Sequence, residues 1–418
     1  MKKNILKPIA SLLLLTLLFL QQGCIKDKLS VTYTYFEPVY QSKATVLQSV
    51  KAGPAQSLKQ TGKLIKLGNY IFVNEINKGI HVIDNSVPSN PKNTSFINIP
   101  GSVDLAVRNN ILYADIFTDL VAIDISDMNN IVLKKVIADI FHERLYDYSG
   151  NYDTSKYIVD YIERTTTDKK QADLFKVNNV QVFQGPTASS VSTTSVSGSM
   201  ARFTIVNDYL YTVGRSYLTS FNISSPENPV KVKENGLGWN IETIYPLNDK
   251  LFIGSQTGMF IYSIANPAQP SYLSNFNHAC FNDPVIADDH YAYVTLRART
   301  ETSRCWGAPA LQRNELDIVN INNIMQPSLV KIYDMAEPQG MSKDGNTLFL
   351  CDGKGGLKLY DVSNVQDIKL KKTFTDVNPF DVIAQSGLAI VVAENGLYQY
   401  DYNDLNNVRL ISRINISK

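Results

Sequence analysis

From about residue 60 onward the chain alternates short apolar runs with polar turns, and the runs come in pairs. Asn69-Tyr70-Ile71-Phe72-Val73 is followed by Gly79-Ile80-His81-Val82-Ile83-Asp84, and Asn110-Ile111-Leu112-Tyr113 by Leu120-Val121-Ala122-Ile123-Asp124. Runs this short, rich in β-branched and aromatic residues, predict neighbouring strands joined by tight turns. Further second runs end at Asn222, Ser263, Asn320, Asp361 and Asp401. The seven polar ends are separated by 40, 98, 41, 57, 41 and 40 residues, so a period of about 40 is broken by inserts of about 58 and 16 residues. A polar stretch such as Ser224-Ser225-Pro226-Glu227-Asn228-Pro229 follows each end, where proline and side-chain capping stop a ladder and turn the chain. A fourth strand is expected next, as at residues 134–137 and 369–374.

Four strands per unit at this period is the signature of propeller blades. One blade alone exposes both faces and its edges, whereas seven packed around an axis bury the faces and confine the edges. The expected fold is all-β, a seven-bladed β-propeller over residues 61–418, with an insert between blades two and three. The inserts lie at about 140–198 and 298–314. The first carries Tyr146, Tyr148, Tyr152, Tyr157 and Tyr161 in a part able to order against the propeller, and then a Ser/Thr-rich stretch with little apolar area to offset ordering entropy.

The start of the chain follows another pattern. Lys2 and Lys3 precede an apolar run from Ile9 to Leu20, then Gln21-Gln22-Gly23-Cys24. The run is shorter than the roughly 20 residues that span a bilayer, and reads as an export signal. Its ending resembles a bacterial lipoprotein signal, which implies a signal peptide over 1–23, cleavage before Cys24 and lipidation of that residue. Acyl chains would then attach the body to a membrane without a spanning helix. Ile25-Lys26-Asp27-Lys28 resembles the short charged sequence after the lipidated cysteine in exported Bacteroidetes lipoproteins, which implies the outer membrane and a surface-exposed body. A periplasm-facing body is the alternative. Residues 24–60 are expected to be a tether and lead-in.

Charge narrows the partners. Forty Lys and Arg against 39 Asp and Glu give a formal charge of +1, too little to favour nucleic acid. The repeated strings His81-Val82-Ile83-Asp84, Val121-Ala122-Ile123-Asp124, Asp317-Ile318-Val319-Asn320 and Lys358-Leu359-Tyr360-Asp361 resemble the LVIVD-repeat family. That resemblance implies a β-propeller and leaves the biochemical role open.

Candidate chemistry is sparse. Asp104, Arg202, Glu242, Asp283, Gln339 and Asp381 stand where successive innermost strands begin, so alignment of the blades would gather them at one mouth of the central channel. There they would bind a polar ligand or, through the carboxylates, a cation; capping and hydration of the strands is the alternative. Glu75, Asp115, Arg215, Gln256, Asp352 and Glu394 occupy the loops between second and third strands, and Arg215 with Tyr217 would add a charged and aromatic contact to a recognition surface or simply shape the turns. Asp352-Gly353-Lys354-Gly355-Gly356 lacks the Gly-Lys-Ser/Thr ending of a phosphate loop and reads as a hairpin. His81, His142, His278 and His290 show no zinc spacing, and no cofactor is expected. Cys280 and Cys305 are candidates for a disulfide across the second insert, leaving Cys351 as a buried thiol.

Together these features favour a lipid-anchored envelope module that recognises or scaffolds a protein, peptide or glycan. The competing expectation is an envelope carbohydrate-active hydrolase or lyase using channel-facing carboxylates as acid and base. Oligomeric state is left open.

Overall fold

A computed structural model describes residues 31–144, 153–170, 196, 197, 199, 200, 202–238, 240–278, 284–298 and 313–417. Seven sheets account for most of them. From the innermost strand outward, blade 1 uses Thr61–Leu67, Tyr70–Glu75, Gly79–Asp84 and Lys92–Asn98, and blade 2 uses Leu105–Arg108, Ile111–Ile116, Asp119–Asp124 and Val132–Ile137. Blade 3 is Phe203–Val206, Tyr209–Val213, Tyr217–Asn222 and Val230–Gly236; blade 4 is Ile241–Leu247, Lys250–Ser255, Gly258–Ser263 and Ser271–Asn277. Blade 5 is Val285–Ala287, Tyr291–Leu296, Asn314–Asn320 and Ser328–Met335; blade 6 is Met341–Asp344, Thr347–Cys351, Leu357–Asp361 and Lys369–Phe374. Blade 7 ends the chain with Pro379–Gln385, Leu388–Ala393, Gly396–Asp401 and Arg409–Asn415. Each innermost strand touches those of the two neighbouring blades, and blade 7 returns to blade 1, so the ring is closed.

The polar ends that revealed the repeat all do one job. Asp84, Asp124, Asn222, Ser263, Asn320, Asp361 and Asp401 each accept the backbone N–H two residues ahead, at 2.9–3.2 Å. That local bond turns the third strand into the fourth without any help from the core. In every blade the pairing of third and fourth strands also slips by one residue, a bulge that increases twist as the outer edge leaves the axis. Apolar faces of adjacent sheets supply the core, as where Phe252, Met259 and Ile261 of blade 4 meet Val285, Val294 and Val319 of blade 5.

Among the described residues no blade borrows a strand from the opposite end of the chain, and blades 7 and 1 meet through direct contacts. Ser417 N–H reaches the Leu58 carbonyl at 2.8 Å. Deeper in the same seam, Asn85 Nδ2 donates to Gln399 Oε1 at 2.9 Å, and Gln399 Nε2 donates back to Asn85 Oδ1 at 2.7 Å. The residue after the anchor is apolar or aromatic in the other six blades: Ile125, Ile223, Ile264, Ile321, Val362 and Tyr402.

The lead-in is not merely a tether. Ser42 caps a short helix, Lys43–Gln48, by accepting Thr45 N–H, and Lys51–Pro54 adds a strand outside blade 1. Lys43 pairs with buried Asp119 at 2.7 Å, and Tyr157 of the first insert donates to the same carboxylate at 2.8 Å. Residues 31–37 and 162–170 belong to a second unit, in which Arg164 Nε donates to Glu37 Oε2 at 2.9 Å. Strands Tyr33–Ser42 and Lys156–Thr166 form a two-stranded sheet. Among the described residues no helix is long and apolar enough to cross a membrane. Cys24, Cys280, Cys305 and Asp283 lie outside the described residues.

Candidate functional site

Three of the expected channel residues do converge, but under the protein's own chain. The last residues of the first insert turn inward, and Val196–Ser197 pairs with the innermost strand of blade 1. Ser199 Oγ then accepts Met341 N–H of blade 6 at 2.7 Å, and the Met200 carbonyl accepts Lys63 Nζ of blade 1 at 3.1 Å. Ser199 and Met200 are themselves buried. A Cβ on Gly340 would collide with the Asp381 carboxylate and meet the Met200 sulfur at 3.0 Å, so glycine is what lets the three segments meet there.

Beneath this segment lies a cluster of charge. Lys63 Nζ is 3.4 Å from Asp104 Oδ2, with both side chains at most 2% exposed. Asp104 also accepts the N–H of Leu105 at 2.8 Å and of Arg202 at 3.0 Å. Burial pushes the Lys63 ammonium down to about 8, against the pull of Asp104 and Asp381. Burial likewise raises Asp104 more than Lys63 lowers it, and it lowers Arg202. Removal from water therefore outweighs mutual attraction, as expected for an ion cluster sealed from solvent.

Of the other expected channel residues, Glu242 and Gln339 are described and both are half-buried. Glu242 accepts Gln256 Nε2 at 3.0 Å, and Gln256 Oε1 accepts Asn240 Nδ2 at 2.9 Å. Gln339 donates its backbone N–H to the Cys351 carbonyl at 2.8 Å. Cys351 is fully buried, and burial raises its thiol well above the ordinary range.

Acidic residues at the ends of second strands mostly serve the backbone. Glu75 takes the N–H groups of Lys59 and Gln60, Asp115 those of Val103 and Asp104, and Asp352 those of Ala336 and Glu337. Each carboxylate clamps the loop that leads into its own blade. The spacing of 16 residues recurs in Lys59 with Glu75, Asn240 with Gln256, Ala336 with Asp352 and Asn378 with Glu394. His81 is a wall residue as expected, buried and 3.1 Å from Glu75.

At the same end of the propeller, the turn His142–Arg144 bridges blades 2 and 3. Arg144 pairs with Asp115 and lies over the Phe141 ring at 4.4 Å. Glu143 accepts Arg215 N–H at 3.0 Å, while His142 meets the Tyr217 ring edge-on at 4.9 Å. Arg215 is exposed and Tyr217 half-buried, so both remain on a surface. The second insert springs from this end too, between Leu296 and Asn314. Reading by sequence missed Lys63, Ser199, Met200, Glu143 and Arg144. A lysine inside the strand start Thr61-Gly62-Lys63-Leu64-Ile65 was the one available signal. Among the described residues no three His, Cys, Asp or Glu side chains are placed to hold a metal.

These features define a seven-bladed β-propeller in which Ser199 and Met200 pack against the innermost strands of blades 6 and 1. Residues 61–96, in blade 1, and residues 310–335, across the outer half of blade 5, match the LVIVD repeat. No curated protein matches it in sequence. Among solved structures it resembles a Lactobacillus plantarum protein at 10% identity and TM-score 0.55, covering 87% of this chain and 97% of that one. It also resembles the Pseudomonas aeruginosa periplasmic gluconolactonase PpgL at 10% identity and TM-score 0.52, covering 93% and 97%. Saccharomyces cerevisiae Sqt1 aligns at 9% identity and TM-score 0.50, covering 90% and 88%. Likenesses this distant establish the fold alone.

Proposed function

We propose that the protein is a lipid-anchored recognition or scaffolding module of the cell envelope, held at the outer membrane through Cys24 and presenting its insert-bearing end to a protein, peptide or glycan. Exposure carries this reading: Lys63 and Asp104 pair with each other in the interior, whereas Arg215 is exposed and Tyr217 half-buried at the insert-bearing end. An exposed guanidinium beside a partly buried aromatic ring is the pairing that dominates many interfaces.

Capture from native envelopes with the full lipidated chain tests it. Arg215→Glu and Tyr217→Ala are each expected to deplete a specific partner at least tenfold without lowering the melting temperature. An unchanged partner set in both would overturn the reading. Cys24→Ala is expected to lose its acyl mass and move to the soluble fraction; retention with the membranes would remove the lipid anchor from the proposal.

A further inference from the structure

The opposite end of the propeller, which carries the turns between first and second strands, holds a feature the repeat does not explain. In blade 2 the Tyr113 hydroxyl donates to the Pro226 carbonyl of blade 3 at 2.8 Å, and in blade 3 Tyr211 donates to Pro267 of blade 4 at 2.8 Å. Each tyrosine ties its second strand to the outer turn of the next blade. Tyr293 holds the same register in blade 5, opposite Ile318 as Tyr113 is opposite Ala122 and Tyr211 opposite Ser220. Its hydroxyl lies instead 3.4 Å from Asp288 Oδ2. The matching carbonyl, Val365 in blade 6, is taken by Tyr333 from the outer strand at 2.9 Å. The outer turn of blade 6 is thus held from its far side, and a cleft of about 800 Å³ opens between blades 5 and 6.

The cleft suits one chemistry. Its walls include Tyr291, Leu329, Asn320, Asn346, Asn364 and Gln366, which combine amide donors and acceptors with apolar surface. Lys343, its one lysine, is already matched by Asp288 at 2.9 Å. His290 N–H, Tyr291 N–H and Lys343 hold the Asp288 carboxyl below its usual range despite burial, so that pair stays ionised and internally balanced. Asp289 lines the cleft as well, so an acidic ligand is repelled, while the amides both give and accept hydrogen bonds, as the hydroxyls of a neutral ligand do. We infer that this cleft binds a short neutral oligosaccharide, its ring face against Tyr291 and its hydroxyls on the amides. The site lies at the other end from the rim invoked above and stands or falls separately.

The full chain should be applied to an array of neutral glucan, mannan and N-acetylglucosamine oligomers beside sulfated and uronic-acid glycans, with titration calorimetry on the strongest neutral binder. Selective binding of a neutral oligomer is expected, weakened at least tenfold by Tyr291→Ala and by Gln366→Ala, the latter on a surface turn outside any strand. Tyr217→Ala should bind as the unaltered chain does, which separates this cleft from the opposite rim. Absence of neutral binders, binding to acidic glycans alone, or affinity unchanged from the unaltered chain in both cleft variants would overturn the inference.

Discussion

Replacing Lys63 with methionine is expected to destabilise the propeller by about 3–5 kcal/mol, the usual cost of orphaning a buried charge. Asp104 and Asp381 both act electrostatically on the Lys63 ammonium, and Asp104 is fully buried 3.4 Å from it. Methionine keeps much of the volume and removes the cation, leaving the carboxylates to face one another across a dry axis. Chemical denaturation followed by tyrosine fluorescence measures the loss, and a change under about 1 kcal/mol would show that the cluster contributes little. Lys63→Met with Asp104→Asn should recover part of it, because the asparagine oxygen still accepts the Leu105 or Arg202 amide.

The same lysine predicts a pH dependence with a definite sign. Its pKa is about 8 in the folded chain against 10.5 unfolded. Between those values the unfolded chain binds a proton that the folded chain does not, so this group makes stability rise with pH, by roughly 1.4 kcal/mol per unit. Below the window both states are protonated and the penalty is constant; above it neither is. Denaturation midpoints at pH 7.5, 8.5 and 9.5 should therefore climb for the unaltered chain relative to Lys63→Met. Parallel pH profiles would contradict the assignment.

The second large effect is expected at the seam. Asn85→Ile puts into blade 1 the side chain that blades 2 to 5 carry at this position, yet it should cost about 1–3 kcal/mol because it strips two hydrogen bonds from buried Gln399. Gln399 keeps a bond to the Pro88 carbonyl at 3.1 Å, which softens the loss without satisfying its own oxygen. Adding Gln399→Leu removes the orphan and should restore most of the stability. A double-mutant cycle would then give a coupling of about 2 kcal/mol, whereas additive losses would mean that the amides do not act as a pair.

Legibility followed the range of the interactions. The seven anchors were visible because each closes a bond to a backbone amide two residues away, so chemistry and spacing travel together in the chain. Residues that begin the innermost strands could be placed at the axis by counting, and Asp104, Arg202 and Asp381 do gather there around Lys63. Their surroundings could not be counted. Ser199 and Met200, buried against Lys63 and Met341, come from a distant insert. Glu75, Asp115 and Asp352 were singled out by position, while their work as clamps on backbone amides became apparent only with the loops in place.

Sequence alone determined the blade count, the strand order within each blade and the turn chemistry, since all three depend on contacts within about forty residues and repeat seven times. Tertiary structure decided what fills the axis, how the ring closes and where a cleft opens. Met200 meets Lys63 across 137 positions and Asn85 meets Gln399 across 314, each only once, so no periodicity announces them. They form because closing the ring brings distant segments together where an unpaired polar group would be costly to bury.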